Sequence, residues 1–335
     1  MNQSELKSLC IEAGESEFRG IQLFEWMYQH GITSFDSMLN VNKSFRKHLK
    51  EHCIIQTLLM EKRMPSQKDE AVKILFRTQD NHFIETVSMV NGDRHTVCLS
   101  SQAGCTLDCS FCATGQLRFK RNLITGEIVD QLIFVRENLD RPITNVVFMG
   151  MGEPFHNYEN VLNAADIFHS PKGFNLASTR ITISTAGLLP QIKQFIIEKR
   201  KYKLAISLNA PDDGVRNDIM PVNKKWPINE LIKAGKEYSN QKKRLIMFEY
   251  VLLKGVNDSK NDALKLSRLL KGIPCKLNLI PYNETDGSFI RPDKADITRF
   301  SEILHNNRDE YRVSIRWSKG EDIDAGCGQL AGQKL

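Results

Sequence analysis

The sequence has no run of about eighteen apolar residues, the length that a helix needs to cross a bilayer. It opens on Met1-Asn2-Gln3-Ser4-Glu5, without the basic region and apolar stretch of a secretory signal. It also has no internal repeat and no low-complexity tract. We therefore expect a cytoplasmic protein without a membrane partner. Its 335 residues, 41% of them hydrophobic, suffice for one large α/β domain and a small addition.

An excess of charge of one sign is missing as well. The net charge of +6 permits a nucleic-acid partner without demanding one. The eight cysteines can be interpreted as a disulfide framework. In a reducing compartment, however, clustered cysteines are more often metal ligands or catalytic thiols. The positions of the cysteines are therefore more informative about their function than their number is.

The first sixty residues have helical patterning. Ile21, Phe24 and Met27 recur at helical spacing, and Pro65 breaks the pattern. Two short strands are predicted next. We predict the following domains: residues 1–60, a helical RNA-docking domain; residues 61–94, a short β extension that carries Glu85; and residues 95–335, a larger domain that ends in a cysteine-containing loop.

From about residue 95 the pattern alternates between strand and helix, which predicts a parallel sheet in an incomplete β/α barrel. The predicted strands are residues 96–100, 145–149, 180–184, 203–208, 246–252 and 275–280, with a late strand at 311–317. The predicted helices are residues 126–137, 190–199, 228–238 and 262–270. Functional loops of such barrels follow the carboxyl ends of the strands. Residues that are far apart in the sequence should therefore meet on one face.

One of these loops holds three cysteines in the pattern Cys105-x3-Cys109-x2-Cys112. Three thiolates can bind three irons of a [4Fe–4S] cluster and leave the fourth iron open to a small molecule. Zinc is the alternative metal, since three cysteines and one further ligand form a common zinc site. A zinc knuckle normally has a second ligand pair, and none follows here. The spacing therefore favours the cluster.

This spacing resembles that of the radical S-adenosylmethionine (SAM) superfamily. The resemblance implies that the methionine end of SAM binds the open iron, and that an electron from the cluster cleaves SAM to a 5′-deoxyadenosyl radical. The segment Met151-Gly152-Glu153-Pro154 is similar to the glycine-rich element that contacts the methionine end. The fold implied is a partial β/α barrel of the radical SAM type with a small N-terminal helical domain.

Other motifs resemble the RlmN/Cfr family of RNA adenine methyltransferases, and the similarity covers nearly the whole chain. They are residues 98–105, 111–115, 148–154 and 320–332. The family chemistry implies a methyl carrier at Cys327, a resolving thiol at Cys98 that forms a transient disulfide with it, and a proton acceptor at Glu85. It also implies two SAM molecules per turnover. Without the resemblance, Glu85 is more simply a strand residue facing solvent, and Cys98 a packing residue.

The same resemblance implies a set of SAM contacts. They are Gly152, Glu153, Ser184, Ser207, Leu208, Asn209 and Asn283. Asn209 stands where the family usually has histidine, and Gly326 replaces a more usual alanine beside Cys327, which we expect to loosen the loop. The remaining cysteines are expected to be packing residues; they are Cys10, Cys53 and Cys275.

The expected product is adenosine methylated at C2, in 23S rRNA and at the adenosine next to the tRNA anticodon. The expected reductant is a flavodoxin or a ferredoxin. Basic residues that suit RNA cluster at 118–121, 199–203, 224–226 and 242–244, although such clusters are often only solvated surface. The alternatives are the Cfr-like C8 methylation that is associated with antibiotic resistance, and a zinc-bound RNA-binding protein without catalysis.

Overall fold

The computed structural model describes residues 1–242, 244–285, 288–309 and 311–332. Its strands are β1 Leu58–Pro65, β2 Val72–Thr78, β3 Phe83–Asn91, β4 Arg94–Cys98, β5 Gln102–Ala103, β6 Arg121–Asn122, β7 Asn145–Phe148, β8 Ile181–Thr185, β9 Lys203–Ser207, β10 Ile246–Leu252, β11 Cys275–Pro281 and β12 Arg312–Ile315. Its helices are α1 Gln3–Glu12, α2 Glu17–Phe24, α3 Lys43–His52, α4 Ala113–Gln116, α5 Thr125–Asn138, α6 Tyr158–His169, α7 Leu189–Ile197, α8 Asp213–Ile219, α9 Ile228–Lys242, α10 Lys260–Leu269 and α11 Lys294–Asn306.

Within these residues, ten strands form one sheet in the order β1-β2-β3-β4-β7-β8-β9-β10-β11-β12. In this sheet β4 and the strands from β7 to β12 pair in parallel, whereas β1 to β3 extend it as an antiparallel meander, and β5 and β6 form a separate antiparallel pair. The described residues place β1 and β12 at opposite edges, so the barrel is incomplete. The predicted fold class, an incomplete β/α barrel with helices at its N-terminal end, is confirmed.

The parallel strands are buried because helices cover one face and side chains fill the barrel interior. Every residue of β8 is buried, including two threonines and a serine. Strand β10 alternates differently, because Phe248 and Tyr250 pack outward against helices while Glu249 and Val251 line the interior. The interior of the barrel is therefore the polar side of the parallel sheet.

The structure also has elements that the pattern did not predict. Strand β1 starts at Leu58, before the predicted domain boundary at residue 60, and most of its residues are exposed, as expected for an edge strand. The sequence pattern delimits neither helix α6 nor helix α11, although both have an apolar face against the sheet. The two helices α1 and α3 begin at asparagine N-caps, Asn2 and Asn42.

No helix in the part of the chain that the structure describes is long and apolar enough to span a membrane.

Candidate active site

A pocket lies at the carboxyl ends of the parallel strands, with an empty volume of about 890 Å³ including its open mouth. The predicted site residues that line it are Cys105, Cys109, Cys112, Gly152, Glu153, Ser184, Ser207, Asn209 and Cys327. These residues come from five separate segments of the chain, at strand ends and in the loops that follow them, so the convergence predicted from the strand ends takes place.

The cysteine loop runs between β5 and α4. At two glycines, one at the start of the loop and one in α4, other backbone atoms lie so close that a side chain would not fit. Gly104 has a φ of +75°, and a Cβ atom there would lie 2.4 Å from the carbonyl oxygen of Arg118. A Cβ atom at Gly115 would lie 2.7 Å from the carbonyl oxygen of Cys109. The amide of Cys112 donates to that same carbonyl at 3.1 Å. The backbone therefore fixes where the thiols point.

The three thiols share one electrostatic environment. Burial raises the pKa of Cys105 to about 12 and raises the pKa of Cys109 and of Cys112, and negative charge on the neighbouring thiols adds to the effect at Cys109. Three buried thiolates are stable only if positive charge is bound among them, and iron supplies such charge. No three His, Cys, Asp or Glu side chains within the described ranges are placed to hold a single metal ion. The donor set fits a cluster bound by one thiolate per iron.

The loop after β7 carries Gly152 and Glu153. Gly152 has a φ of +94°, and an added Cβ atom would lie 2.4 Å from Cβ of Gln102. The Glu153 carboxylate accepts from the amide of Phe155 at 2.9 Å and from the amide of Ala186 at 2.8 Å. Burial nevertheless raises the pKa of Glu153 to about 7. Glu153 thus ties its own loop to the end of β8 while it lines the pocket.

The remaining predicted SAM contacts occupy different positions. Ser184, Ser207 and Asn209 line the pocket, and the Asn209 side chain accepts from the amide of Val251 at 2.9 Å. Leu208 has its side chain in the core, and Asn283 lies behind the Cys327 loop. As the described residues form it, the pocket lining includes neither of these two. A contact of Leu208 or Asn283 with SAM would therefore have to involve backbone atoms or a rearranged loop.

Cys98 and Cys327 interact electrostatically although they are far apart in the sequence. Burial, together with a smaller effect of negative charge on Cys327, raises the pKa of Cys98 to about 12. Asn283 Nδ2 donates to the carbonyl of Cys327 at 3.0 Å, and the amide of Ala113 donates to the carbonyl of Gly328 at 2.7 Å. These bonds hold the C-terminal loop against the cysteine loop.

Gly326 does not loosen this loop, contrary to our expectation. A Cβ atom there would lie 2.6 Å from Cγ of Asn283 and 2.7 Å from Oε1 of Gln329. The amide of Gly326 also donates to Gln329 Oε1 at 2.9 Å. The missing side chain allows Asn283 and Gln329 to approach the backbone, so the glycine tightens the packing around Cys327.

Glu85 is a buried side chain with an ion-pair partner. Its carboxylate lies 3.3 Å from Lys73 Nζ and accepts from the amides of Ala331 at 2.8 Å and Gly332 at 3.1 Å. Its backbone carbonyl accepts from Ser100 Oγ at 2.6 Å. The simpler interpretation of Glu85, a residue facing solvent, is wrong, because the side chain is enclosed between β2 and the C-terminal segment.

Two charged residues of the barrel interior are not among the site residues predicted from the sequence. Glu249 lines the pocket from β10, and Arg316, just after β12, interacts electrostatically with Glu249, Cys98 and Cys327. The negative charge of Cys327 is the first cause of the raised pKa of Arg316. One signal was available in the sequence: Glu249 is the acidic residue within an otherwise apolar strand, Ile246–Leu252.

The basic clusters are partly committed to intramolecular contacts. Arg121 donates to both oxygens of Asp80 at 2.6 Å and also to Glu127 at 2.7 and 2.8 Å. Lys225 Nζ lies 4.9 Å from the ring centroid of Trp226. Lys243 lies outside the described residues. Of these residues, Arg121 is a structural cation that links the β2–β3 turn to α5.

The cysteines without a predicted function are packing residues as expected in two cases. Cys10 and Cys275 are fully buried in the core, and Cys53 is half-buried at its edge.

Two parts of the chain match the models of known protein families. Residues 1–55 match the model of the ribosomal RNA large subunit methyltransferase N-terminal domain. Residues 99–266 match the model of the radical SAM superfamily. The first match covers the helical region and the second covers most of the parallel strands and the cysteine loop.

Curated relatives and a solved structure match nearly the full length. The dual-specificity RNA methyltransferase RlmN of Desulfotalea psychrophila is 43% identical over 99% of this chain and 93% of its own length. A probable dual-specificity RNA methyltransferase RlmN of Aquifex aeolicus is also 43% identical, over 99% of this chain and 96% of its own length. The crystal structure of a radical SAM methyltransferase from Sphaerobacter thermophilus superimposes with a TM-score of 0.95 at 41% identity and covers 99% of this chain and 98% of that one.

Proposed function

The chain belongs to the RlmN family of radical SAM RNA methyltransferases, and we propose that it methylates C2 of an adenosine in 23S rRNA and of the adenosine next to the tRNA anticodon. Family membership makes it a SAM-dependent enzyme that carries a [4Fe–4S] cluster and acts on RNA. The alternative of a zinc-bound protein without catalysis is therefore wrong. The observation that best supports the proposal is that Cys327 lines the same pocket as Cys105, Cys109 and Cys112, while the buried Cys98 interacts electrostatically with Cys327.

Cys105, Cys109 and Cys112 would hold the cluster, and their loop geometry suits this role. When bound, the cluster supplies the electron that cleaves SAM. Ser184, Ser207 and Asn209 would position the adenosyl group, since all three line the pocket, from the neighbouring strands β8 and β9 and from the residues just after β9. Gly152 and Glu153 would bind the methionine end. The electron would come from a flavodoxin or ferredoxin.

Cys327 would carry the methyl group. Carbon C2 of adenine is electrophilic, so it does not displace a methyl group from SAM directly. The Cys327 thiolate would take the methyl group from one SAM molecule by displacement, and Arg316 would stabilise that thiolate by its nearby positive charge. A second SAM molecule is consumed when its 5′-deoxyadenosyl group takes one hydrogen atom from the S-methyl group and leaves as 5′-deoxyadenosine. The resulting methylene carbon would then bond to C2.

Glu85 and Cys98 would complete the reaction. Glu85 would accept the proton from C2, since its carboxylate lies beside the C-terminal segment that also carries Cys327. The unpaired electron of the adduct would pass to the electron carrier. Cys98 would then attack the Cys327 sulfur, and the S–C bond to the RNA would break; its electron pair would stay with the carbon, which takes up a proton and becomes the methyl group. The products are a Cys98–Cys327 disulfide and methylated RNA. Reduction of the disulfide returns both thiols.

Product analysis tests the position of methylation. The purified, cluster-loaded enzyme is incubated with SAM, a reductant and unmodified 23S rRNA or tRNA, and the RNA is digested to nucleosides. We expect 2-methyladenosine from both RNAs. A product that is mainly 8-methyladenosine would favour the Cfr-like alternative, and would leave the cluster and the two catalytic cysteines as proposed. Activity on only one RNA would restrict the substrate.

A further inference from the structure

The carboxylate of Glu249 lies in the pocket with one oxygen unused. Glu249 is only 4% exposed, and it lines the pocket from the middle of β10. Its Oε1 accepts from Asn278 Nδ2 at 2.9 Å, and Asn278 in turn accepts from Ser314 Oγ at 2.7 Å. Its Oε2 has no hydrogen-bond partner within the described residues. The buried network therefore ends in a free acceptor.

A free carboxylate oxygen at this depth is costly, because a buried acceptor without a partner has lost its water and gained nothing in return. The cation that interacts electrostatically with Glu249 does not donate a hydrogen bond to it. Arg316 attracts Glu249 electrostatically but donates Nη1 to Met149 Sδ, at 3.5 Å. Since Glu249 also lines the pocket, a donor on a bound ligand is the natural partner for Oε2.

The position of Glu249 indicates which ligand supplies that donor. Glu249 pairs with Ser207 in the sheet register, and both side chains line the pocket. The amides of Leu208 and Asn209 both donate to the Glu249 carbonyl, at 2.9 and 3.3 Å. Glu249 therefore belongs to the same wall as the residues proposed to hold the adenosyl group of SAM.

We propose that Glu249 Oε2 accepts a hydrogen bond from a ribose hydroxyl of the SAM adenosyl group. A carboxylate beside a ribose is a common arrangement in nucleotide sites, since it accepts from a hydroxyl that is otherwise hard to satisfy in a buried pocket. This inference rests on the proposed SAM site. The competing donor is the exocyclic amine of the RNA adenine, which enters the same pocket.

Equilibrium dialysis with anaerobically prepared, cluster-loaded enzyme tests the proposal. SAM and its 2′-deoxy and 3′-deoxy analogues are measured against the wild type, Glu249→Gln, and the control Glu302→Gln, which alters an exposed residue of α11. Glutamine keeps the shape and turns the free oxygen into a donor. We expect Glu249→Gln to bind SAM about tenfold more weakly, the value of one charge-assisted hydrogen bond. The control should bind as the wild type does.

The analogues give a second measurement that needs no variant. The wild type should bind at least one deoxy analogue about tenfold more weakly than SAM, and Glu249→Gln should not distinguish that analogue from SAM. Equal wild-type affinity for SAM and both analogues overturns the proposal. Unchanged SAM binding by Glu249→Gln together with weaker RNA binding also overturns it, and assigns Oε2 to the RNA adenine. Because binding is measured without turnover, an 8-methyladenosine product would refute only the proposed position of methylation.

Discussion

The pocket has two walls that are built in different ways. The cluster wall consists of Cys105, Cys109 and Cys112 on one short loop, whose glycines fix the backbone. The transfer wall is Cys327 in the C-terminal loop, which lines the pocket, together with the two residues that interact with it electrostatically from behind, Cys98 at the end of β4 and Arg316 after β12. The first wall depends on local sequence, whereas the second exists only when the two ends of the parallel sheet have formed. The two walls should therefore fail in different ways when mutated.

The largest effect is expected in the cluster wall. Cys109→Ala should lose most of the bound iron, all SAM cleavage and all RNA methylation, because each thiolate holds a separate iron. Iron and sulfide content and the yield of 5′-deoxyadenosine measure this. If the variant keeps a full cluster and produces 5′-deoxyadenosine at the wild-type rate, Cys109 is not a ligand and the cluster wall is misassigned.

Substitutions of the cysteines in the transfer wall should abolish turnover to methylated RNA and leave the iron content of the protein unchanged. Cys327→Ala removes the methyl carrier, so no methylated RNA and no adduct should form. Cys98→Ala should form the adduct and fail to release it, so that protein and RNA migrate together in a denaturing gel. Cys53→Ala, at a half-buried cysteine outside the pocket, is the matched control and should turn over normally. Identical behaviour of the two variants, without a trapped adduct, would contradict the division of roles.

The two walls also differ in how much of each could be predicted from the sequence. The cysteine spacing and the strand periodicity predicted the cluster loop and the parallel strands, and one strand, Ile246–Leu252, has the predicted bounds. Glu249 and Arg316 were missed because their role depends on which residues face them across the barrel. That information lies in the sheet register and in no local pattern. Strand β1 was missed because an exposed edge strand lacks the apolar alternation that predicts strands.

A smaller effect is expected at Glu85, which connects with the transfer wall through the C-terminal segment. Glu85→Gln should still allow methylation of Cys327, but it should slow release of methylated RNA by about 10²- to 10⁴-fold, the usual contribution of a general base. Mass analysis of the protein and single-turnover assays separate the two steps. Glu70→Gln, at an exposed residue before β2, is the control. A Glu85 variant with the wild-type single-turnover rate would exclude the proton-acceptor role.

The smallest effect should come from a residue that touches neither wall. Asp130 on α5 accepts from the amide and hydroxyl of Thr57, at 2.5 and 2.7 Å, and burial raises its pKa to about 6 from 3.8. The folded state therefore binds this proton more tightly than the unfolded state does. Its ionisation should lower the free energy of unfolding as the pH rises from about 4 to about 6, by on the order of 1 kcal/mol.

Thermal melts across this pH range, for the wild type and Asp130→Asn, measure that contribution. The asparagine keeps an acceptor for Thr57 and removes the titration, so the difference between the two proteins should grow toward pH 7. Iron content and methylation should not change. A pH-independent difference would mean that Asp130 is not protonated in this range.

The C-terminal segment that carries Cys327 is hydrogen-bonded to three other parts of the molecule. Its backbone donates two hydrogen bonds to Glu85, its Gly328 carbonyl accepts from Ala113 just after the last cluster cysteine, and Asn283 holds it at Cys327. One short segment thus connects Cys327 with the Glu85 carboxylate and with the start of α4. A substitution that shifts this segment is expected to change the surroundings of Cys327, of Glu85 and of the cysteine loop together.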